Sequence, residues 1–373
     1  MKVGVPKERK PGESRVALSP AGARELTAHG HQVLVERDAG TGSRIPDEEY
    51  VAAGARIVPT ADDVFGEARL IVKVKEPTAE EIGRLGPDHV LFTFLHLAAY
   101  PSVASGLVAS GATAIAYETV ELAGGLTPLL APMSRIAGRM AAQIGARFLE
   151  QPQGGRGVLL CGAPGVPRAR ATVLGAGQAG SNAAVGLAGL GAQVSVLDVD
   201  TGKLQRLGEL GHGNITTVYA SLAAVEEYVA DSDVTVGAVL SVGAAAPVLV
   251  PERLVKRMRP GAVLVDISID QGGSFETSRE TTHSEPVYTL HDVVHYAVGN
   301  IPGAVPHTST YALTNVTLPY VVALGDGPAA AVRRYAELAK GVNVAGGGLT
   351  HPEVASALGQ PFRPVEEALG LAA

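Results

Sequence analysis

Residues 171 to 198 read ATVLGAGQAGSNAAVGLAGLGAQVSVLD, and this stretch restricts the fold more tightly than any other in the chain. The apolar run Ala171-Thr172-Val173-Leu174 predicts a strand, Gly175-Ala176-Gly177-Gln178-Ala179-Gly180 a tight turn into a helix, and Gln193 to Leu197 a second strand ending at Asp198. This is a βαβ half-unit of a doubly wound sheet. Gly175 suits the turn off the strand, Gly177 lets backbone N–H groups approach a pyrophosphate, and Gly180 lets the helix seat closely on the sheet. The positive end of the helix then faces the anion. Asp198 follows Gly180 by 18 residues, where a carboxylate can accept hydrogen bonds from the two hydroxyls of an adenosine ribose. A 2′-phosphate would meet like charge there, so the cofactor expected is NAD and not NADP.

At 373 residues the chain is too long for one ordinary core, and two domains are expected. Hydrophobic residues make up 46% and charged residues 18%, which describes a globular α/β protein and neither a disordered nor a fibrous one. The formal net charge is −7 with no basic run, which argues against nucleic acid and anionic membranes as partners. A single cysteine, Cys161, excludes a disulfide framework and a cysteine-based metal cluster, and fits a reducing cytosol. The start, MKVGVPKERK, has no apolar run after its charges, so no signal peptide is expected. Two long uncharged stretches, Leu97 to Tyr117 and Val234 to Pro251, are broken by Gly, Ser and Pro into strand- and helix-length pieces and read as buried elements, not membrane spans.

Strands are predicted at Val3 to Val5, Gln32 to Val35, Arg56 to Val58, Leu70 to Val74, Val90 to Leu95 and Thr113 to Ala116, with helices between them. Ser19-Pro20 reads as an N-cap followed by proline in the first turn. Alternating strands and helices imply parallel pairing through right-handed crossovers. Ala131 to Glu150 reads as one long helix. After Asp198, strands are expected at Ile215 to Val218, Val234 to Leu240, Ala262 to Asp266 and Val287 to Leu290, and a second long helix over Thr308 to Leu324. The fold class expected is thus α/β: two Rossmann-like domains with parallel sheets joined by long helices, the first domain discontinuous. Residues 1–130 would begin a substrate domain, 131–307 would form the NAD-binding domain, and 308–373 would return to complete the first.

Ligands of open α/β sheets bind outside the carboxyl ends of strands. That rule selects Arg15, after the first strand; Lys75, closing LIVKVK; His96, closing VLFTFL; and Glu118, after Thr113 to Tyr117. An arginine, a lysine and a histidine at neighbouring strand ends suit a small anionic substrate: Arg for a carboxylate, Lys for a carbonyl, His for proton transfer. In the second domain Asp270 and Asn300 occupy comparable positions. Each has a plainer reading, as a solvated charge, a hydrogen-bonded core histidine or a turn residue. His291 and His295 stand four apart, but HDVVH has Asp where a zinc helix would have Glu, and no metal site is expected.

The blocks VGVPKE with Arg15, VKVKEP (72–77), FTFLHLAA (92–99), AYETV (116–120), LLAPMS (129–134), GGRGVLLCGAPGV (154–166), VLGAGQAG (173–180), LVDISIDQGG (264–273) and PHTSTYALTN (306–315) resemble the L-alanine dehydrogenase family, from the first residue to beyond 360. The resemblance implies that Arg15 and Lys75 bind substrate, with Asn300 beside them, and that His96 and Asp270 are catalytic. It implies cofactor contacts at Ser134, Gly175, Gly177, Gln178, Ala179, Gly180, Asp198, Lys203, Ser221, Val239, Leu240, Ile267, Asp270, Arg279, Val298 and Asn300. The implied reaction is the NAD-dependent, reversible oxidative deamination of L-alanine to pyruvate and ammonia by a cytoplasmic homo-oligomer, commonly a hexamer. Three positions depart from the family pattern: Ala220 where Ser is frequent, Arg135 in place of an acid, and Ala245 in place of Lys. A magnesium site of some relatives would need an acid and a histidine where Ala323 and Gly327 stand, so no metal is expected. Two rivals share the fold: the nucleotide-binding subunit of a proton-pumping transhydrogenase, and an opine-type or lysine-pathway dehydrogenase with a larger substrate.

Overall fold

The computed structural model describes residues 1–239 and 247–371; Leu240 and Ala245 lie outside the described residues. The chain divides into two compact units, Met1–Pro132 with Val305–Ala373, and Met133–Ala304.

In the first unit the short apolar runs become strands β1 (Lys2–Val5), β2 (Gln32–Glu36), β3 (Arg56–Val58), β4 (Leu70–Val72), β5 (Val90–Thr93) and β6 (Thr113–Ala116). They pair in parallel in the order β6-β5-β4-β1-β2-β3. The order reverses between β1 and β4, which makes the carboxyl ends of those two strands the topological switch point where such sheets bind ligands. The helix Pro20–Ala28 starts where expected, with Ser19 Oγ accepting the Gly22 N–H at 3.2 Å. β4 ends at Val72 and β5 at Thr93, two residues short of the sequence expectation; beyond those points Lys73 N–H still donates to the Phe92 carbonyl and Phe94 N–H to the Val74 carbonyl, while carboxylates of Glu8 and Glu118 accept the Val74 and Leu95 N–H groups.

The second unit holds β7 (Arg170–Leu174), β8 (Gln193–Asp198), β9 (Ile215–Tyr219), β10 (Val234–Gly237), β11 (Val263–Asp266), β12 (Val287–Leu290) and β13 (Val293–Tyr296). Six of these are parallel in the order β13-β11-β10-β7-β8-β9, with the switch point between β7 and β10, and β12 lies antiparallel on the edge. The expected parallel sheet is present, with an antiparallel strand added at its edge. The strand over Val287 to Leu290 is the antiparallel edge, and the sixth parallel strand is β13, which the sequence reading did not separate from it. The turn between them consists of His291 and Asp292, both left-handed at φ 54° and 58°. That is the pattern of a tight type I′ hairpin, here without the Asn-Gly that usually signals one.

The chain returns to the first unit through the helix Pro306–Leu324, and β14 (Val342–Ala345) and β15 (Gly348–Leu349) extend its sheet antiparallel beyond β6. β1 and β4 to β6 are buried almost throughout, as strands covered on both faces must be. Among the described residues no helix is long and apolar enough to cross a membrane.

His295 on β13 is buried and stacks on Tyr288 with ring centroids 4.9 Å apart. Its Nδ1 lies 2.9 Å from the Val293 carbonyl and its Nε2 2.8 Å from Thr277 Oγ1. A carbonyl only accepts, so the proton is assigned to Nδ1 and Nε2 accepts from the Thr277 hydroxyl. Burial lowers the proton affinity of this ring, and also that of His31 and His351. A histidine with a folded pKa below its unfolded value takes up its proton first in the unfolded chain. Stability is therefore complete above about pH 6.5 and is lost as pH falls through and below that value. Thermal melts should show a falling midpoint from about pH 7.5 to about pH 5.5, with a shallower slope for His295→Phe; equal slopes would remove His295 from this account.

Candidate functional site

In the second unit the turn after β7 is built as the glycines require. Gly175 has φ +102°, and a Cβ there would stand 2.7 Å from the Ala238 carbonyl oxygen. A Cβ on Gly180 would stand 1.8 Å from the Gly175 carbonyl oxygen, so the helix Gln178–Gly189 seats against its own entry turn. Gly177, at its N-cap, makes no side-chain cap and has open space where a Cβ would be. Uncapped N–H groups at the end of a helix dipole, facing a surface with no side chain, form an anion cradle. These residues fit the pyrophosphate of a dinucleotide.

Asp198 closes β8, with Oδ2 accepting the Ala176 N–H at 2.7 Å and Oδ1 the Asp200 N–H at 2.8 Å. It thereby ties the glycine turn to the loop that would face the adenosine ribose. Asp200 caps the next helix through the N–H groups of Gly202 and Lys203, and Lys203 Nζ lies 3.9 Å from Asp200 Oδ2. Ser221, next to Ala220 at the end of β9, is an N-cap whose Oγ accepts the Ala224 N–H. Arg135 donates to Gln178 Oε1 at 3.1 Å, which ties the helix Ala131–Phe148 to the start of the fingerprint helix; Ser134 sits in its first turn. A Cβ on Gly138 would lie 2.1 Å from the Ala179 carbonyl oxygen, so these two helices pack backbone against backbone.

At the carboxyl ends of β10, β11 and β13 the other expected residues meet. Ile267 continues β11 by donating to the Gly237 carbonyl, and Ser268 Oγ donates to the Val239 carbonyl. Asp266 is buried, and its carboxylate accepts from the N–H groups of Ser268 and Ser274 and from Ser278 Oγ; burial pushes its proton affinity up against those bonds. It pins both ends of the loop carrying Asp270, which sits exposed in the turn Ile269–Gln271. Asp270 Oδ2 lies 3.4 Å from the N–H of Asn300, a residue with φ +60°. Arg279 lies over the Tyr288 ring, 4.2 Å from its centroid, and Val298 bridges to Thr281.

In the first unit Arg15, Lys75, His96 and Glu118 follow β1, β4, β5 and β6, four neighbours in the sheet around its switch point. Arg15 is buried, and Glu13 holds it through its Nε at 2.7 Å and its own N–H at 2.9 Å. A buried guanidinium held in one plane is a preset carboxylate receptor. Lys75 is half-buried and forms no ion pair among the described residues. Its neighbour Lys73 is fully buried between Glu8, 3.1 Å away, and Glu81, 2.8 Å away. The Glu8 carboxylate also accepts the Val74 N–H at 2.7 Å; burial pushes its proton affinity up, with Lys73 and that N–H opposing. His96 is left-handed at φ 49° and lies parallel to the Phe94 ring at 5.8 Å. Glu118 accepts its backbone N–H at 2.6 Å.

The sequence reading found the cations and the histidine but missed Glu8, Glu13 and Glu81, the buried carboxylates that hold them. In the sequence these look like surface charges in a polar stretch; only their spacing to Lys73 and Arg15 across β1 and β4, visible after folding, marks them. Leu240 lies outside the described residues.

Family models match both parts of the chain: the alanine dehydrogenase/PNT N-terminal domain over residues 4–137 and the alanine dehydrogenase/PNT C-terminal domain over residues 141–352. The chain is 53% identical over 363 residues to an alanine dehydrogenase of Mycobacterium tuberculosis, covering 97% of this chain and 98% of that protein. Among solved structures it is similar to an L-alanine dehydrogenase, with a TM-score of 0.93 and 48% identity over 96% of this chain and 99% of that one. It is also similar to a transhydrogenase from Sinorhizobium meliloti, with a TM-score of 0.80 and 29% identity over 94% and 99%. With both domains matched in order and a relative this similar over almost its whole length, the chain belongs to the alanine dehydrogenase/PNT family.

Proposed function

We propose that the protein catalyses the reversible reaction of L-alanine, NAD and water to pyruvate, ammonium, NADH and a proton. The observation that carries this reading is the set Arg15, Lys75 and His96 in the loops that follow β1, β4 and β5, adjacent strands at the switch point of the first sheet. A binding module that only passes hydride to a partner has no use for that set. In this reading Met1–Pro132 and Val305–Ala373 are the substrate domain and Met133–Ala304 is the NAD-binding domain. A homohexamer in the cytoplasm belongs to the same reading, supported by the family resemblance.

Bound NAD supplies a hydride acceptor for the substrate Cα. Arg15 pairs with the substrate carboxylate, and Lys75 donates to the oxygen that becomes the pyruvate carbonyl. His96 takes a proton from the water that attacks the iminium carbon and returns one as the carbinolamine expels ammonia. Asp270 stabilises the positive charge that develops on the substrate nitrogen. Gly175, Gly177 and Gly180 shape the pyrophosphate cradle, and Asp198 receives the ribose hydroxyls. In the reverse direction NADH should be consumed only when pyruvate and ammonium are both present. Consumption with pyruvate alone would make the enzyme a hydroxyacid dehydrogenase and overturn the proposal.

Asp198 gives a separate test. Two unit charges ~4 Å apart at an effective dielectric of ~20 interact by ~4 kcal/mol, so Asp198→Ala should move the NAD-over-NADP preference in kcat/KM by about 10³-fold toward NADP. An unchanged ratio would remove Asp198 from the ribose site.

A further inference from the structure

We infer that Glu118 is the positioning residue of His96, and that it acts on the backbone of His96 rather than on its ring. The inference rests on the reading that His96 moves protons in the reaction. β5 and β6 pair in register up to Thr93 and Ala116, and beyond that point the ladder stops. Two residues further on, the Glu118 side chain reaches across and takes the place of a strand. Its Oε1 accepts the His96 N–H at 2.6 Å and the Leu95 N–H at 3.2 Å, and Oε2 lies 3.2 Å from the same Leu95 N–H. The nearest ring approach, Nδ1 to Oε1, is 3.8 Å, too long for a hydrogen bond. The carboxylate is 13% exposed while the imidazole is 40% exposed, so the support is buried and the reacting group is not.

The grip has a purpose that local conformation supplies. His96 stands at φ 49°, a left-handed conformation that a non-glycine residue holds only when its surroundings impose it. Two N–H groups pointing at one oxygen impose it here. The Phe94 ring, itself packed edge-on against buried Tyr117, then lies parallel to the imidazole at an interplanar angle of 1°. Backbone and ring plane are both set, and Nδ1 and Nε2 remain uncommitted to Glu118.

The two effects of Glu118, charge and reach, separate in two variants. Glu118→Gln removes the charge and keeps Oε1 as an acceptor for both N–H groups. Glu118→Asp keeps the charge and withdraws the carboxylate by one methylene. The expected result is kcat for L-alanine oxidation within about 5-fold of wild type in Glu118→Gln and about 10²-fold lower in Glu118→Asp, the size of loss that a misplacement of about 1 Å produces. The KM for L-alanine, set by Arg15 and Lys75, should change by less than about 3-fold in both, and the melting midpoint of Glu118→Asp should stay within a few degrees. Wild-type turnover in Glu118→Asp would overturn the inference. So would a loss in Glu118→Gln equal to that in Glu118→Asp, or a collapse of the Glu118→Asp midpoint, which would mark a merely structural role. A His96→Asn control distinguishes the two levels. If it is inactive, the outcome falls on Glu118; if it turns over like wild type, the reading of His96 fails first.

Discussion

His96→Ala should lose alanine-dependent NADH formation by about 10³-fold, the middle of the range for a positioned acid–base group, while still binding NADH as wild type does. The deamination needs a proton removed from water and another delivered to a leaving amine, both at a carbon whose neighbouring carboxylate is held elsewhere. Of the side chains at the carboxyl ends of β1 and β4 to β6, Arg15 is locked to Glu13 and Lys73 to Glu8 and Glu81. His96, 40% exposed, is the imidazole among them, with two ring nitrogens that can accept and donate a proton. Alanine at φ 49° adds backbone strain. His96→Asn, which tolerates the left-handed region, isolates the chemical loss from that strain and should be as inactive. The dinucleotide turn belongs to the other unit, so NADH affinity should be untouched. Activity within tenfold of wild type in both variants would remove His96 from the reaction.

Gly180→Ala should weaken dinucleotide binding, raising the NADH dissociation constant by about 10- to 10²-fold. The added Cβ would lie 1.8 Å from the Gly175 carbonyl oxygen, which is backbone and cannot swing aside. Relief requires the turn or the helix Gln178–Gly189 to shift, and the pyrophosphate cradle is made of that turn and that helix end. Overpacking of this kind costs typically ~1–3 kcal/mol, which falls on the cofactor-binding conformation itself. Gly189→Ala, on the same helix with open space around its Cβ, is the control and should bind like wild type. Titration of NADH fluorescence reads both. Normal binding by Gly180→Ala would mean that the glycine turn is not the cofactor site.

The parts of this molecule that could be read from the sequence are those whose cause is local. The fingerprint strand, the turn through Gly175 and the helix from Gln178 follow from apolar runs and glycines, and they lie where expected. β3 and β6 match the expected residues because short buried strands between polar helices have little freedom in their limits. β13 escaped because a His-Asp pair at positive φ carries no glycine signal, so one apolar stretch hid a hairpin. β14 escaped because it is short and pairs with β6, more than 200 positions away, and β15 because its two residues only fold back on β14 through a glycine turn. Among the candidate site residues, Lys75 and His96 were visible as polar groups ending apolar runs, and Arg15 as a cation in the loop after the first strand. Their supports were not. Glu8, Glu13 and Glu81 acquire meaning only once β1 and β4 lie side by side, and Asp266 only once its loop folds back on it.

The central claim is that this chain oxidises L-alanine with NAD. The most direct measurement mixes purified protein with NAD and L-alanine at alkaline pH, follows NADH absorbance, and assays pyruvate and ammonia in the same tube. The account predicts NADH, pyruvate and ammonia in equal amounts, all dependent on L-alanine. NADH binding without any alanine-dependent NADH would contradict it and favour a dinucleotide-binding transhydrogenase subunit instead.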